Sequence, residues 1–281
     1  MTASAATNEQ RSWAHYTEPS FVDIDGLRTA YRRQGSGERV VYLHGAGLTR
    51  MWLPFYEELA AGHDLTAPEH PGFGDTPMPA ELDDFDDYVL HYDALFDTLG
   101  LEPLHLIGHS LGGWTAAELA VFFPRRFKSL TLITPAGVRA AERIAAPGPD
   151  PFRFEPEEAA AALLNGAGEE YAEYFVQEGM PEDAVHAYAE ATTFARLAWN
   201  PRYDRKLNRR LARVGIPTLV LGAEDDRIIP NAVAERYAEL IPGATYATVP
   251  GEPGRPTGHA PHLEHPAAVA SLVAEHVAAH S

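Results

Sequence analysis

The sequence predicts an α/β fold, with a mostly parallel central sheet of about eight strands flanked by helices and an inserted helical cap. Three observations lead to this prediction. Several short runs are apolar throughout, among them VVYL, LTLIT and TLVLG, which is typical of strands buried on both faces of a parallel sheet. Amphipathic helical patterns lie between these runs. This alternation stops between residues 135 and 213, where strand signals vanish.

The predicted strands are short β-rich runs separated by turn residues. In chain order they cover residues 21–24, 27–32, 40–43, 65–67, 104–107, 130–133, 217–221 and 244–249. The clearest helix covers residues 83–99, because its apolar residues recur at steps of three and four. Aspartates crowd its start, where the helix dipole favours anions, and Gly100 follows its end.

The middle of the chain has the pattern of an insertion. Alanine, glutamate, tyrosine and phenylalanine dominate there, which favours helices. The buried-strand pattern returns at Pro217, so a helical cap between two strands fits better than a separate downstream domain. We expect a first α/β core segment at 1–135, a helical cap at 136–213 and a second core segment at 214–281.

Length and charge limit the functions of this chain. Its 281 residues, 45% of them hydrophobic, are enough for one large domain or one domain with an insertion. The net charge of −18 repels phosphate backbones and anionic lipid head groups. We therefore expect a small-molecule substrate as the partner, and neither nucleic acid nor a membrane.

Composition also bears on the compartment. Cysteine is absent, which excludes disulfides, thiolate nucleophiles and cysteine-ligated metals. The first residues, MTASAATNEQRSW, lack the apolar run of a signal peptide. No stretch approaches the roughly eighteen unbroken apolar residues of a membrane span. A cytoplasmic location is the expectation.

The string Gly108-His109-Ser110-Leu111-Gly112 matches the G-x-S-x-G pattern between an apolar strand and a helix. In a nucleophile elbow, a tight strand-to-helix turn needs small neighbours and holds the serine over the sheet, at the positive end of the next helix. The alternative is an ordinary strand–helix turn in which Ser110 is only the helix N-cap. Partners elsewhere in the chain decide between these two interpretations.

An acyl-transfer serine needs hydrogen-bond donors for the oxyanion that forms on its substrate. One expected donor is the backbone N–H of Leu111, which follows the nucleophile. The second is expected from the loop 44–47 (HGAG) after the strand VVYL, with the N–H of Ala46 as the best candidate. This loop does not complete a dinucleotide-binding G-x-G-x-x-G pattern, because Arg50 stands at the last position.

The catalytic base must be a histidine, and TGHAPHLEHP after the last strand supplies the best candidate. We expect His259 to be the base, since the small residues beside it let its ring reach the serine, with His262 as the fallback. The histidines of this string also have the spacing H-x-x-H-x-x-H. Its prolines break the helix that would align them, so no metal site is expected.

The acid that orients the base should follow a strand and lie between serine and histidine in the chain. LVLGAEDDRIIP satisfies this requirement, and Asp226 is preferred over its neighbours Asp225 and Glu224. The loop after LTLIT, another place for such an acid, holds no carboxylate. The order Ser110, Asp226, His259 differs from the orders of chymotrypsin and subtilisin.

These motifs together resemble α/β-hydrolase-fold serine hydrolases with a helical cap, in particular carboxylesterases, whose triad has this chain order. The resemblance rests on LHGAG, APEHPGFGDT, GHSLGG, GAEDDRIIP and GHAPHLEHP and extends from about Phe21 to the end of the chain. Glu69 stands where the family commonly has an aspartate, and the loop before His259 carries extra proline and glycine. The resemblance implies cleavage of a carboxylic ester, or a related acyl bond, through an acyl-enzyme, without cofactor or metal.

Within this superfamily, single residues separate several activities. Haloalkane dehalogenases and epoxide hydrolases use an aspartate at the position of Ser110 and are disfavoured. Hydrolases that cleave C–C bonds of meta-cleavage products share the triad but usually carry a tryptophan where Ala260 stands, which makes them the second candidate. Cofactor-free haloperoxidases and perhydrolases also share the triad. A non-catalytic ligand receptor of this fold usually lacks a triad member.

Aromatic residues are candidates for the walls of a substrate pocket. They are Trp114, Phe73, Trp199 and Phe194. An aromatic residue at helical spacing is more often part of the core, so packing is the alternative for each of them. The aromatic residues of the cap favour a small to medium apolar acyl group.

Overall fold

The structure is a computed structural model and describes residues 15–140, 150–154, 156–175, 181–199 and 201–281. The N-terminal string MTASAATNEQRSW and part of the predicted cap lie outside the described residues. Among the described residues, no helix combines the length and the apolarity that crossing a bilayer requires.

Within the described ranges, eight strands form one sheet, which confirms the predicted fold class. The strands are β1 Ser20–Ile24, β2 Leu27–Gln34, β3 Glu38–Leu43, β4 His63–Pro68, β5 Leu104–His109, β6 Phe127–Ile133, β7 Thr218–Ala223 and β8 Thr245–Val249. Their order in the sheet is β1-β2-β4-β3-β5-β6-β7-β8. Strand β2 pairs antiparallel with β1 and β4, and the remaining neighbours are parallel.

Several strands begin before their apolar run, because backbone pairing starts at earlier residues. Strand β4 begins at His63 instead of Leu65, and its first residue pairs with Glu38 of β3. Strand β6 likewise begins at Phe127 instead of Leu130. In β6 the added residues include the buried Phe127 and Ser129, so the apolar runs mark only part of each strand.

Helices cover both faces of the sheet. In the part of the chain that the structure describes they are α1 Pro54–Ala60, α2 Phe85–Leu99, α3 Leu111–Phe122, α4 Pro156–Leu163, α5 Pro181–Ala198, α6 Leu207–Arg210, α7 Ala232–Leu240, α8 Pro261–Glu264 and α9 Pro266–Ala278. Helices α2, α3 and α7 pack on one face, and α1 and α9 pack on the other. Every residue of β5 and β7 is buried between these layers. This burial explains the apolar run TLVLG of β7, whereas β5 also buries His105 and His109.

Helix α2 begins at Phe85, later than the predicted start at Asp83, because aspartates cap it. Asp84 Oδ1 accepts a hydrogen bond from the N–H of Asp87 at 3.0 Å, and Asp87 Oδ2 accepts one from the N–H of Asp84 at 3.3 Å. This reciprocal pair is a capping box, which holds Asp84 in an extended conformation outside the helix. Gly100 ends the helix with a left-handed φ of 62°.

Helices α4, α5 and α6 lie in the predicted cap, whose boundaries at residues 136 and 213 stay predictions. The end of this segment is attached to α3 by a buried charge cluster. Arg210 Nη1 lies 3.3 Å from Glu118 Oε2 and 3.2 Å from Asp204 Oδ2. Glu118 is 1% exposed. Its burial, and then the neighbouring Asp204, raise the pKa of Glu118 to about 8, although Arg210 opposes this shift.

We expect Glu118→Gln to stabilise the protein at alkaline pH. Folded Glu118 keeps its proton up to a pKa of about 8, whereas in the unfolded chain it loses the proton near its ordinary value of 4.5. The free energy of unfolding therefore falls as pH rises between these two values. Glutamine has no proton to lose, so the variant gains on the order of 2 kcal/mol over wild type at about pH 8.5, and little at about pH 5. Urea unfolding at both pH values measures the difference.

Glu239→Gln is the matched control for this prediction. Glu239 is exposed and pairs with Arg236 at 2.7 Å on the surface of α7. Its replacement should change the free energy of unfolding equally at the two pH values, because exposed ion pairs contribute little. If Glu118→Gln also has the same effect at both pH values, Glu118 does not hold a proton in the folded protein.

Candidate active site

Ser110 lies in the turn between β5 and α3, where the predicted elbow places it. Its backbone has φ 53° and ψ −113°, a conformation that residues other than glycine rarely adopt. The N–H of Ser110 donates to the carbonyl oxygen of Ile133 at 3.0 Å, and its own carbonyl oxygen accepts from the N–H of Trp114 at 3.1 Å. The hydroxyl caps no N–H of α3. The interpretation of Ser110 as an N-cap side chain is therefore wrong.

Two glycines of the motif are required by close backbone contacts. A Cβ atom at Gly112 would lie 2.1 Å from the carbonyl oxygen of Leu43, at the end of β3. A Cβ atom at Gly108 would lie 2.3 Å from the carbonyl oxygen of Gly112. The first turn of α3 thus packs directly on the ends of the strands, which fixes the position of Ser110.

Three residues predicted from separate loops come together at this turn. His259 Nε2 lies 2.8 Å from Ser110 Oγ, and His259 Nδ1 lies 2.7 Å from Asp226 Oδ2. The other carboxylate oxygen of Asp226 accepts hydrogen bonds from the N–H groups of Ile228 at 2.9 Å and Ile229 at 2.7 Å. The side chains of His259 and Asp226 are each only 2% exposed.

This arrangement determines the tautomer of His259. A carboxylate can only accept hydrogen bonds, so Asp226 holds the proton of the imidazole on Nδ1. The lone pair of Nε2 then faces the hydroxyl of Ser110. A neutral imidazole in this state is able to take the proton of the hydroxyl, and the adjacent carboxylate stabilises the imidazolium that results.

The alternative acids and the fallback base make other contacts. Asp225 Oδ2 lies 3.0 Å from Arg227 Nε, and its side chain is 47% exposed. Glu224 Oε2 accepts a hydrogen bond from the N–H of Gly251 at 3.0 Å. The ring of His262 packs 4.3 Å from the ring of His109, and burial lowers the pKa of His262 to about 3. None of the three is hydrogen-bonded to Ser110 or His259 in the described residues.

The loop that carries His259 is held from several sides. The N–H of His259 donates to the carbonyl oxygen of Leu163, at the end of α4, at 2.9 Å. Its carbonyl oxygen accepts from Thr134 Oγ1 at 2.8 Å and from His109 Nε2 at 3.0 Å. The N–H of the preceding residue donates to Glu264 Oε2 at 2.8 Å. Sequence reasoning missed Leu163 and Glu264 as partners of this loop, because no motif marks either residue.

Two segments predicted to supply oxyanion donors, the HGAG loop and the start of α3, lie beside Ser110. A Cβ atom at Gly45 would lie 2.8 Å from His109 Nδ1 and 3.3 Å from the Cβ of Ser110, so the HGAG loop packs against Ser110. Leu111 is the first residue of α3, where backbone N–H groups have no partner inside the helix. The loop that contains Ala46 and the first residue of α3 therefore both lie beside Ser110, and binding of an oxyanion by the N–H groups of Ala46 and Leu111 stays a prediction.

A pair of buried histidines fixes the start of the HGAG loop. The N–H of His70 donates to His44 Nε2 at 3.0 Å, so His44 carries its proton on Nδ1, which donates to the carbonyl oxygen of Gly45 at 2.6 Å. His70 Nε2 donates to the carbonyl oxygen of His44 at 2.8 Å, and Tyr92 donates to His70 Nδ1 at 2.6 Å. Burial lowers the pKa of His44 to about 4, in keeping with a neutral ring.

The four aromatic candidates occupy different environments. Trp114 is 3% exposed and stacks on Phe85 at 3.8 Å between ring centroids, and Phe73 is 1% exposed. Both belong to the packed interior, as the alternative interpretation expects. Phe194 is half-buried and packs against Phe152 at 4.6 Å, whereas Trp199 is 66% exposed. A contact between these four residues and a substrate stays a prediction.

Several known proteins are similar to this chain in sequence. The dihydrolipoyllysine-residue acetyltransferase component of the acetoin cleaving system of Cupriavidus necator is 30% identical over 239 residues, which are 80% of this chain and 61% of that protein. This chain thus spans less than two thirds of that relative. The 2-hydroxymuconate semialdehyde hydrolase of Pseudomonas sp. strain CF600 is 29% identical over 270 residues, covering 90% of this chain and 91% of that protein.

A solved structure with a similar fold is the meta-cleavage product hydrolase CumD of Pseudomonas fluorescens IP01. It has a TM-score of 0.77 and 20% identity, and covers 93% of this chain and 98% of that chain. Residues 40–272, from β3 into α9, match the sequence profile of the alpha/beta hydrolase family. The chain therefore belongs to the alpha/beta hydrolase family.

Proposed function

We propose that this protein is a serine hydrolase that cleaves a carboxylic ester, or a related acyl bond, of a small to medium apolar substrate. The observation that carries the proposal is the continuous hydrogen-bond chain from Ser110 Oγ through His259 to Asp226, with distances of 2.8 Å and 2.7 Å. Nucleophile, base and orienting acid in this arrangement are the parts that acyl transfer needs.

In the proposed reaction, His259 Nε2 takes the proton of Ser110 as Oγ attacks the ester carbonyl carbon. The carbonyl oxygen becomes an oxyanion, which accepts hydrogen bonds from the N–H groups of Ala46 and Leu111. His259 then gives its proton to the leaving alcohol, and an acyl-enzyme on Ser110 remains. Water repeats these steps, releases the carboxylic acid and restores the serine hydroxyl. The cycle returns every proton and needs no further reactant.

Hydrolysis of a C–C bond is the second candidate. The relative from strain CF600, a 2-hydroxymuconate semialdehyde hydrolase, covers 90% of this chain and favours it. Against it, Ala260 follows the proposed base where C–C hydrolases usually carry a tryptophan. Ala260 itself is fully buried. We therefore prefer the ester as substrate.

A substrate panel tests this preference. We expect p-nitrophenyl esters of two to eight carbons to be hydrolysed with a kcat/KM at least about a hundredfold above that of a vinylogous 1,5-diketone acid. Release of p-nitrophenolate and loss of the dienolate absorbance measure the two reactions with the same enzyme stock. A higher kcat/KM for the diketone acid would replace the ester proposal by C–C hydrolysis. Turnover of neither substrate, together with tight binding of one, would favour a ligand receptor.

A further inference from the structure

Glu190 of α5 connects the predicted cap to two loops of the core. Its Oε1 accepts a hydrogen bond from Thr49 Oγ1 at 2.8 Å and another from the N–H of Gly74 at 2.7 Å. Thr49 is buried and lies three residues after Ala46, in the loop that follows β3. We name residues 44–50 the oxyanion loop. One carboxylate oxygen of α5 thus joins the oxyanion loop to the turn after β4.

Two residues of the oxyanion loop have an unfavourable backbone conformation. Leu48 has φ 57° and Arg50 has φ 64°, although neither residue is a glycine. Residues with side chains adopt this left-handed region at a cost in free energy, and they stay there only where surrounding contacts hold them. Thr49 lies between these two residues, and its hydroxyl donates to Glu190. The hydrogen bond from Thr49 to Glu190 therefore stabilises the part of the loop whose backbone conformation is unfavourable.

A second buried carboxylate holds the same loop from the core. Glu69 Oε1 accepts from the N–H of Arg50 at 2.9 Å and lies 2.6 Å from Arg32 Nη1. Arg50 in turn donates to the carbonyl oxygen of Gly74 at 2.6 Å. Glu69 occupies the position at which the family commonly has an aspartate. The oxyanion loop is thus fixed at Arg50 by the core and at Thr49 by α5.

Helix α5 has other contacts with the core, so its attachment does not depend on Glu190 alone. A Cβ atom at Gly72 would lie 2.5 Å from Thr193 Oγ1, which shows how closely α5 packs on the turn after β4. Arg196 Nη2 donates to the carbonyl oxygen of Ala80 at 2.7 Å. These contacts do not touch the oxyanion loop. Among the described contacts of α5, the hydrogen bond between Glu190 and Thr49 reaches the loop that contains Ala46, the proposed oxyanion donor.

We propose that Glu190 is a positioning residue for catalysis: it aligns the oxyanion loop through Thr49, so that α5 of the predicted cap completes the oxyanion hole. Glu190 touches neither Ser110 nor His259 in the described contacts, and it acts on the reaction only through the loop of Ala46. This inference rests on the proposed serine hydrolase function. Its distinguishing consequence is a loss of transition-state stabilisation without an equal loss of substrate binding.

The test compares Glu190→Ala and Glu190→Gln with Arg196→Ala as the matched control. We expect Glu190→Ala to lower kcat for a p-nitrophenyl ester by about 10- to 100-fold, part of the effect of losing an oxyanion donor, with KM nearly unchanged. Glu190→Gln keeps an amide oxygen that accepts both hydrogen bonds and should stay within about threefold of wild type. Arg196→Ala removes another contact of α5 and should also stay within about threefold.

The affinity for a trifluoromethyl ketone is a second readout, which would not change if Glu190 had only a structural role. The ketone forms a tetrahedral oxyanion on Ser110, so its affinity should fall in Glu190→Ala by the same factor as kcat/KM. Thr49→Val removes the hydroxyl donor and should reproduce the loss in kcat. The double variant Glu190→Ala/Thr49→Val should lose no more than Glu190→Ala alone, because Glu190→Ala already breaks the contact with Thr49.

The outcomes separate this inference from the proposed function. If wild type hydrolyses the ester and Glu190→Ala keeps its kcat, Glu190 does not position the loop. An equal loss in Arg196→Ala would mean that Glu190 only attaches α5 to the core. If Glu190→Ala does not fold, an unchanged kcat in Thr49→Val overturns the inference. A wild-type protein that neither hydrolyses esters nor reacts with the trifluoromethyl ketone would overturn the proposed function and this inference together.

Discussion

Ser110→Ala is expected to lower kcat for ester hydrolysis by at least about a thousandfold, because it removes the nucleophile that forms the proposed acyl-enzyme. The substitution deletes Oγ, which lies 2.8 Å from His259 Nε2. The backbone hydrogen bonds of Ser110 with Ile133 and Trp114 do not involve the side chain and should persist. Release of p-nitrophenolate under saturating substrate measures the loss, and thermal unfolding checks that the variant is folded.

Ser271→Ala is the control for this substitution. Ser271 is an exposed serine of α9 whose hydroxyl lies 3.3 Å from Glu275 Oε1, away from the triad. Its replacement should leave kcat within about twofold, as exposed substitutions usually do. A folded Ser110→Ala variant that keeps a tenth of the wild-type kcat would mean that another group is the nucleophile.

Asp226→Asn is expected to lower kcat by about ten-thousandfold, since it forces His259 into the wrong tautomer. Asp226 Oδ1 accepts hydrogen bonds from the N–H groups of Ile228 and Ile229. These two donors should hold the amide oxygen of asparagine in the same place, so that its NH₂ group faces His259 Nδ1. The proton of the imidazole then moves to Nε2, which can no longer accept the proton of Ser110.

Asp225→Asn is a matched control one residue away. The Asp225 carboxylate pairs with Arg227 on the surface and has no described contact with His259. Its replacement should change kcat by less than about threefold, because an exposed ion pair contributes little. Measurement of kcat for both variants at one pH decides the assignment. A large loss in Asp225→Asn with a small loss in Asp226→Asn would exchange the roles of the two residues.

The predicted cap contacts two loops of the proposed active site, the loop of His259 and the oxyanion loop. Leu163, at the end of α4, accepts the N–H of His259, and Glu190 of α5 accepts the hydroxyl of Thr49 in the oxyanion loop. Arg255, just before the base, also pairs with Glu170 at 2.6 Å. The loop of the base and the oxyanion loop are therefore each held by a different part of the insertion. A change in the position of the cap would act on both.

Much of this fold could be predicted from the sequence, because buried parallel strands leave an unbroken apolar pattern. Strands β3 and β7 show it most clearly, in the buried runs VVYL and TLVLG. The ends of β4 and β6 could not be predicted, because His63 and Phe127 belong to the strands through backbone pairing. The predicted start of α2 at Asp83 was also wrong, because Asp84 is the N-cap of the helix and lies outside it.

The contacts among Ser110, His259 and Asp226 could be anticipated, because each residue lies in a short motif after a strand. Glu190 and Glu264 lie in no such motif. Glu190 lies in an alanine-rich helix and meets Thr49 across 141 positions of the chain. Glu264 was only one of several charged or polar residues in the string after His259. Contacts of this kind depend on how the cap packs on the core, which the local pattern of a sequence does not encode.

The central claim is that Ser110 is an activated nucleophile, and labelling with a fluorophosphonate tests it most directly. Such a probe forms a bond from its phosphorus to the serine Oγ and releases fluoride, and it reacts only where a base activates the hydroxyl. We expect one equivalent of label per chain on the peptide that contains Ser110, and no label on Ser110→Ala. An unlabelled wild-type protein that still hydrolyses esters, or a label on a different residue, would contradict the account.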